Sequence, residues 1–187
     1  MTGSQFICKN SMSRFTLLIG GARSGKSKLA ELLVVGTGRP RRYIATAQAW
    51  DDEMRARIAL HRDQRGMGWV TVEAPLDLCG ALAGASADEV VLVDCATLWL
   101  SNHFLAEADL ETQTQLLLAA IATCPAPVIV VSNEVGWSIV PDNALARRFR
   151  DAQGTLNQRM AAQADLVVAV MAGLPLVLKG LMPDCTA

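Results

Sequence analysis

Phe15-Thr16-Leu17-Leu18-Ile19-Gly20-Gly21-Ala22-Arg23-Ser24-Gly25-Lys26-Ser27 is the stretch from which the rest of the chain is read. A short apolar run closed by glycine predicts a buried strand, and Gly20, Gly25, Lys26 and Ser27 fit the phosphate-binding pattern G-x-x-x-x-G-K-[ST]. Gly20 and Gly25 let the backbone turn with positive φ and bring its N–H groups close to phosphate oxygens, which a Cβ would obstruct. Lys26 brings an ammonium to the β- and γ-phosphates and Ser27 a hydroxyl to Mg²⁺. The helix opening at Lys28-Leu29-Ala30-Glu31 aims its positive dipole end at the same anion. The implied ligand is a nucleoside triphosphate. A strand before and a helix after are the context that separates this motif from a glycine turn with a chance lysine.

The chain has 187 residues, enough for one domain that buries about 70% of its unfolded surface. We therefore read residues 15–187 as a single domain and residues 1–14, polar and serine-rich, as a loosely held extension. A net charge of -1 supplies no global field toward nucleic acid or an anionic membrane, so an anion site has to be local. The five cysteines (Cys8, Cys79, Cys95, Cys124, Cys185) are scattered, without a C-x-x-C pair, and read as reduced thiols, three of them core filler. No apolar run reaches the roughly 20 residues that span a bilayer, which leads to the expectation of a soluble cytoplasmic protein.

After a helix over about Lys26 to Val35, Arg41 to Thr46 reads as a second strand whose end, Ala45-Thr46-Ala47-Gln48, places small and hydroxyl side chains where a parallel sheet keeps its ligand-facing loops. Asp51 to Arg65 starts with acids and ends with bases, as a helix dipole prefers. On that helix Arg57 and Arg65 flank His61 at i-4 and i+4, so the imidazole sits on a basic face. Nearby cations favour its neutral, nucleophilic form, but a solvated, salt-bridged helix carries a histidine equally well, and spacing alone favours that plainer reading. Trp69 to Pro75 predicts a third strand and Leu76 to Ala83 a short helix. Glu89-Val90-Val91-Leu92-Val93-Asp94 has the Walker B form, in which a buried strand delivers a carboxylate toward the Mg²⁺ held by Ser27.

Leu105 to Ala122 predicts an amphipathic helix with Leu110, Leu116, Leu117, Leu118 and Ile121 on one side. Pro127 to Val131 predicts a buried strand delivering Ser132-Asn133-Glu134 to the same edge as Asp94. A long helix follows from Pro141 to about Gln163, with Arg147, Arg148, Arg150 and Arg159 either solvated or reaching phosphates. Leu166 to Val170 is the last core strand, and Leu174 to Lys179 folds back as an edge strand. The strand and helix alternation predicts an α/β fold with a mainly parallel sheet flanked by helices.

Together, Gly20 to Ser27, Tyr43-Ile44-Ala45-Thr46, Asp51-Asp52-Glu53-Met54 with Arg57-Ile58 and His61-Arg62, Asn133-Glu134-Val135-Gly136 with Ile139-Val140-Pro141, and Asn157-Gln158-Arg159 resemble the bifunctional adenosylcobinamide kinase / adenosylcobinamide-phosphate guanylyltransferase family. The likeness runs from about Thr16 to Lys179. It implies a RecA-like P-loop fold and two reactions in cobalamin biosynthesis: phosphorylation of adenosylcobinamide by ATP or GTP, and transfer of GMP from GTP to adenosylcobinamide phosphate. It also implies that His61 carries GMP as a covalent phosphoramidate. Gly20, Gly21, Ala22, Arg23, Ser24, Gly25, Lys26 and Ser27 would bind phosphates, Ala45, Thr46 and Ala47 would line the nucleotide, and Arg62, Asp63, Gln64, Arg65, Glu73 and Asp94 would complete the site. A homo-oligomer, a trimer in the family, is a further implication. The chain departs from the family pattern at Gly66, where proline is usual, and at Trp137-Ser138, where small or flexible residues are usual. A plain P-loop small-molecule kinase and a RecA-like ATPase module are the competing readings. The module would call for a basic path or partner surface that the charge does not advertise.

Overall fold

In the computed structural model, which describes residues 7–8, 12–48, 66–183 and 185–186, the apolar runs lie side by side in one sheet. The elements in chain order are β1 (Ile7–Cys8), β2 (Phe15–Gly20), α1 (Lys26–Gly36), β3 (Arg41–Ala45), β4 (Trp69–Glu73), α2 (Leu78–Ala83) and β5 (Val90–Asp94). They continue as α3 (Ala96–Leu105), α4 (Leu110–Thr123), β6 (Val128–Asn133), α5 (Ala144–Gln163), β7 (Leu166–Met171), β8 (Leu174–Lys179) and β9 (Cys185–Thr186). The seven-stranded sheet has the order β4-β3-β5-β6-β2-β7-β8, with β8 antiparallel to β7 and the other pairs parallel. The segment read as an extension contributes β1, which pairs with β9 in a separate two-stranded ribbon.

The central strands read as continuous apolar runs because both of their faces are covered. On one face Leu17, Val91, Val93, Val128 and Val130 pack with Trp99 and Leu100 of α3, Leu117 and Ile121 of α4, and Leu156 and Met160 of α5. On the other, Leu18, Leu92, Ile129, Val131 and Val168 pack with Ala30, Leu33 and Val34 of α1. At roughly 1.5–3 kcal/mol for each fully buried large apolar side chain, these two layers supply the main drive for folding.

One expected helix is corrected. The run from Leu105 to Ala122 is not continuous: Leu105 closes α3, Glu107 turns with φ 54, and Asp109 caps α4 by accepting from the N–H groups of Glu111 and Thr112. Helix α3 shows no apolar period because burial and polarity do not coincide on it: Thr97, Asn102 and His103 are buried while Leu105 is exposed. Leu116 faces solvent while Leu117 and Ile121 face the core. The long helix opens from Pro141-Asp142-Asn143 as expected: the Asn143 side chain accepts from Ala146 N–H and the helix runs over Ala144–Gln163. The helix expected over Asp51 to Arg65 lies outside the described residues.

Candidate nucleotide site

Parallel strands deliver their C-terminal ends to one edge of the sheet, where Gly20, Asn133, Asp94 and Ala45 end β2, β6, β5 and β3. The chain leaves β2 through a tight loop in which Arg23 and Gly25 take positive φ, 56° and 97°. Gly20 is required for a different reason: a Cβ there would lie 2.5 Å from the Val170 carbonyl and 2.6 Å from Ser24 Oγ. The loop is tied to both neighbouring strands, with Gly173 N–H donating to Ser24 O (2.8 Å) and Glu134 N–H donating to Gly20 O (3.0 Å). Lys26 begins α1, is buried at 7% exposure and donates from Nζ to Gly21 O at 2.9 Å, so its ammonium bends back over the loop. Ala22 and Arg23 are exposed at the rim, and Gly21, Ser24, Gly25 and Ser27 are partly open. A tight glycine loop ahead of a helix N-terminus, with one ammonium folded over it, has the form of an anion receptor.

The ends of β3 and β5 are locked together. Thr46 Oγ1 accepts from Cys95 N–H and donates to Cys95 O, each at 2.8 Å, and Thr46 N–H donates to Asp94 O at 3.2 Å. Asn102 of α3 donates to Thr46 O and Pro75 O, both at 2.9 Å. The Thr46 side chain therefore points inward at 0% exposure, so its hydroxyl braces the turn that carries Asp94, while Ala45 and Ala47 stay partly open. Burial, and secondarily the charge of Asp94, pushes the Cys95 thiol up to about 11. It is a neutral core side chain.

Glu73 ends β4, four strand steps from β2 and so roughly 19 Å away across the sheet edge at ~4.8 Å per step. It is exposed and lines an open cleft of about 490 Å³ with Val72, Ala74, Pro75, Leu76 and Asp77. The structure thus keeps Glu73 apart from the phosphate loop. His61, Arg62, Asp63, Gln64 and Arg65 lie outside the described residues. The arginines of α5 have protein partners: Arg147 donates to Pro141 O and Asp142 O, Arg148 sits over the Phe104 ring, Arg150 meets Asp151 and Arg159 meets Glu111.

For a metal, the described residues contain no cluster of three or more His, Cys, Asp or Glu side chains. Ser27, in the first turn of α1, and Asp94, ending β5 two strand steps from the phosphate-loop strand β2, are both partly open and instead offer one hydroxyl and one carboxylate at this edge. That donor set fits Mg²⁺, which keeps waters and takes its remaining ligands from substrate phosphates. Sequence reasoning passed over what holds the β6 exit. Thr97 Oγ1 accepts from Asn133 N–H at 2.7 Å and Asn157 Nδ2 donates to Asn133 O at 3.1 Å, from two helices that only the tertiary fold brings there.

A family model described as cobinamide kinase / cobinamide phosphate guanyltransferase matches residues 16–178. The chain is 46% identical over 167 residues to the bifunctional adenosylcobalamin biosynthesis protein CobP of Pseudomonas aeruginosa, covering 88% of this chain and 96% of that one. It is 42% identical over 179 residues to the protein of the same description, CobU, of Salmonella typhimurium, covering 87% and 98%. Among solved structures, the flagellar accessory protein FlaH of Methanocaldococcus jannaschii aligns at a TM-score of 0.51 with 11% identity, over 92% of this chain and 81% of that one. That likeness is one of fold, the RecA-like P-loop architecture.

Proposed function

The chain belongs to the cobinamide kinase / cobinamide phosphate guanyltransferase family, and on that premise we propose that it performs both reactions at one nucleotide site. It phosphorylates adenosylcobinamide with ATP or GTP, then transfers GMP from GTP to the resulting phosphate, giving adenosylcobinamide-GDP. The observation that carries this reading is the closed anion receptor of Gly20 to Ser27, tied to β6 and β7, within a chain that the family model matches over 16–178.

In the first reaction the loop N–H groups and Lys26 hold the β- and γ-phosphates and offset charge on the transferring group, so catalysis is chiefly positioning and electrostatics. Ser27 and Asp94 would hold Mg²⁺, which would supply further charge neutralisation when bound with the nucleotide. In the second reaction neutral His61 attacks the α-phosphorus of GTP, pyrophosphate leaves, and the cobinamide phosphate then displaces GMP from the histidine. Arg57, Arg62 or Arg65 offsets phosphate charge at that step. Ala45 and Ala47 line the nucleotide, and Asp63, Gln64, Glu73 and backbone around Thr46 complete its site. The partners are these small molecules and further copies of the chain, a trimer by analogy with the family. No nucleic acid is involved. Among the described residues no helix is long and apolar enough to cross a membrane, in keeping with a cytoplasmic enzyme.

The test is the covalent intermediate. Wild-type protein mixed with GTP gains one GMP by mass, removed by acid and stable to mild base. His61→Ala gains none, loses GMP transfer and keeps cobinamide phosphorylation at least in part. An adduct on the His61→Ala protein, or equal loss of both reactions with the fold intact, refutes the assignment and leaves a plain P-loop kinase.

A further inference from the structure

Strand β6 runs between β5, which carries Asp94, and β2, which carries the phosphate loop. The first residue beyond its end is Glu134. Three elements hold that exit: Thr97 of α3 and Asn157 of α5 bond the Asn133 backbone, and Gly20 of β2 accepts from Glu134 N–H at 3.0 Å. Asn157 is itself held by a buried polar cluster. Ser132 Oγ donates to Asn157 Oδ1 (2.6 Å), and Gln153 Nε2 donates to Ser132 Oγ (2.9 Å) and to Asn157 Oδ1 (3.0 Å). Ser132 and Gln153 are fully buried and Gln153 Oε1 has no partner. Burying an unsatisfied amide oxygen is unfavourable, and apolar side chains would fill the same space at no such cost, so the cluster is there to orient something.

We propose that what it orients is Glu134, as the proton acceptor for the substrate hydroxyl in phosphoryl transfer; this rests on the kinase reaction given above. The alcohol oxygen attacks the γ-phosphorus, the bond from that phosphorus to the β,γ-bridging oxygen breaks, the nucleoside diphosphate leaves, and the hydroxyl proton passes to the Glu134 carboxylate and from there to solvent. Three carboxylates stand at or just past the ends of the described strands at this edge. Glu134 follows a strand one step, ~4.8 Å, from the phosphate-loop strand, Asp94 is two steps away and Glu73 four. Asp94 is committed to Mg²⁺ in the reading above, and a metal-bound carboxylate is a poor base. Glu134 is half-buried, and Gly136 N–H donates to its Oε1 at 2.5 Å, which holds one oxygen and orients the other. Glu134 is then a catalytic residue, with Asn157, Gln153, Ser132 and Thr97 as positioning residues behind it.

Glu134→Gln in the full-length protein tests this, because the amide oxygen still accepts from Gly136 N–H but cannot take a proton. Two rates are measured with Mg²⁺ present: phosphorylation of adenosylcobinamide by ATP, and formation of the GMP adduct from GTP. The expected result is a fall in kcat for phosphorylation of about a hundredfold or more, the range for loss of a general base, with KM for ATP changed less than about threefold. Adduct formation falls by less than about fivefold, as it consumes no hydroxyl proton. Glu134→Asp, which retracts the charge by one methylene, shows the same selectivity with a smaller loss. It decides the matter alone should thermal melting show that Glu134→Gln is unfolded. Unchanged phosphorylation by a folded Glu134→Gln protein marks a purely structural glutamate and overturns the inference. So does an equal fall in both rates, which marks a nucleotide-site residue. Wild-type protein that fails to phosphorylate adenosylcobinamide overturns the kinase reading and the inference together.

Discussion

Replacing Thr46 by valine keeps the shape of a fully buried side chain and removes one oxygen. That oxygen makes two bonds at 2.8 Å, accepting from Cys95 N–H and donating to Cys95 O. The two losses are unequal. Cys95 O still accepts from Trp99 N–H of α3 at 3.2 Å, whereas Cys95 N–H, in a residue only 5% exposed, is left without its acceptor and without water. An orphaned buried donor costs ~1–3 kcal/mol, so the expected destabilisation of Thr46→Val is about 2 kcal/mol. For a chain of this size that lowers Tm by roughly 4–8 °C. Thr46→Ser keeps the oxygen and loses one methyl, so it falls by about half as much. The assay is thermal unfolding followed by circular dichroism, with and without GTP. Because Thr46 also fixes the turn behind Asp94, the stabilisation by GTP with Mg²⁺ shrinks in Thr46→Val and persists in Thr46→Ser. A valine variant as stable as wild type, or less damaging than serine, would refute the reasoning that the hydroxyl braces the turn.

Two further outcomes follow from the site. Lys26→Ala removes an ammonium that donates to the loop carbonyl of Gly21, so the apoprotein remains folded while calorimetric affinity for ATP and GTP and both reactions drop by at least about tenfold; wild-type affinity in a folded variant would show that the loop is not the phosphate receptor. Cys95 is raised from 9.0 to about 11 by burial, so its contribution to stability is complete below pH 9 and is lost as pH climbs from 9 to 11. On the order of 3 kcal/mol is at stake in that window, so wild-type Tm falls more steeply than that of Cys95→Ala between these values, and parallel slopes would count against a buried neutral thiol.

The sequence by itself determined the local pieces. The glycine spacing with Lys26 and Ser27 encodes a turn between strand and helix, through positive φ at Gly25 and close approach at Gly20, and the apolar runs at 15–19, 90–93, 128–131 and 166–170 encode strands covered on both faces. The edge strand 174–179 was readable from the glycine before it. Only the tertiary structure decided what lies beside what. Pairing β6 with β2 joins residues more than a hundred positions apart, Leu17 against Val130 for example, and no local pattern records a lateral neighbour. The same is true of side-chain direction. The sequence marks Thr46 as a hydroxyl at a strand end, but whether it faces ligand or backbone depends on Cys95, 49 residues on. Helix α3 escaped detection because its buried face carries Thr97, Asn102 and His103 while Leu105 is exposed, which blurs the period that an amphipathic helix shows. Asn157 stood out in sequence only through its motif, and neither Gln153 nor Thr97 stood out at all, because a sequence shows a helix's own faces and not the partner, here the end of β6, that each face meets.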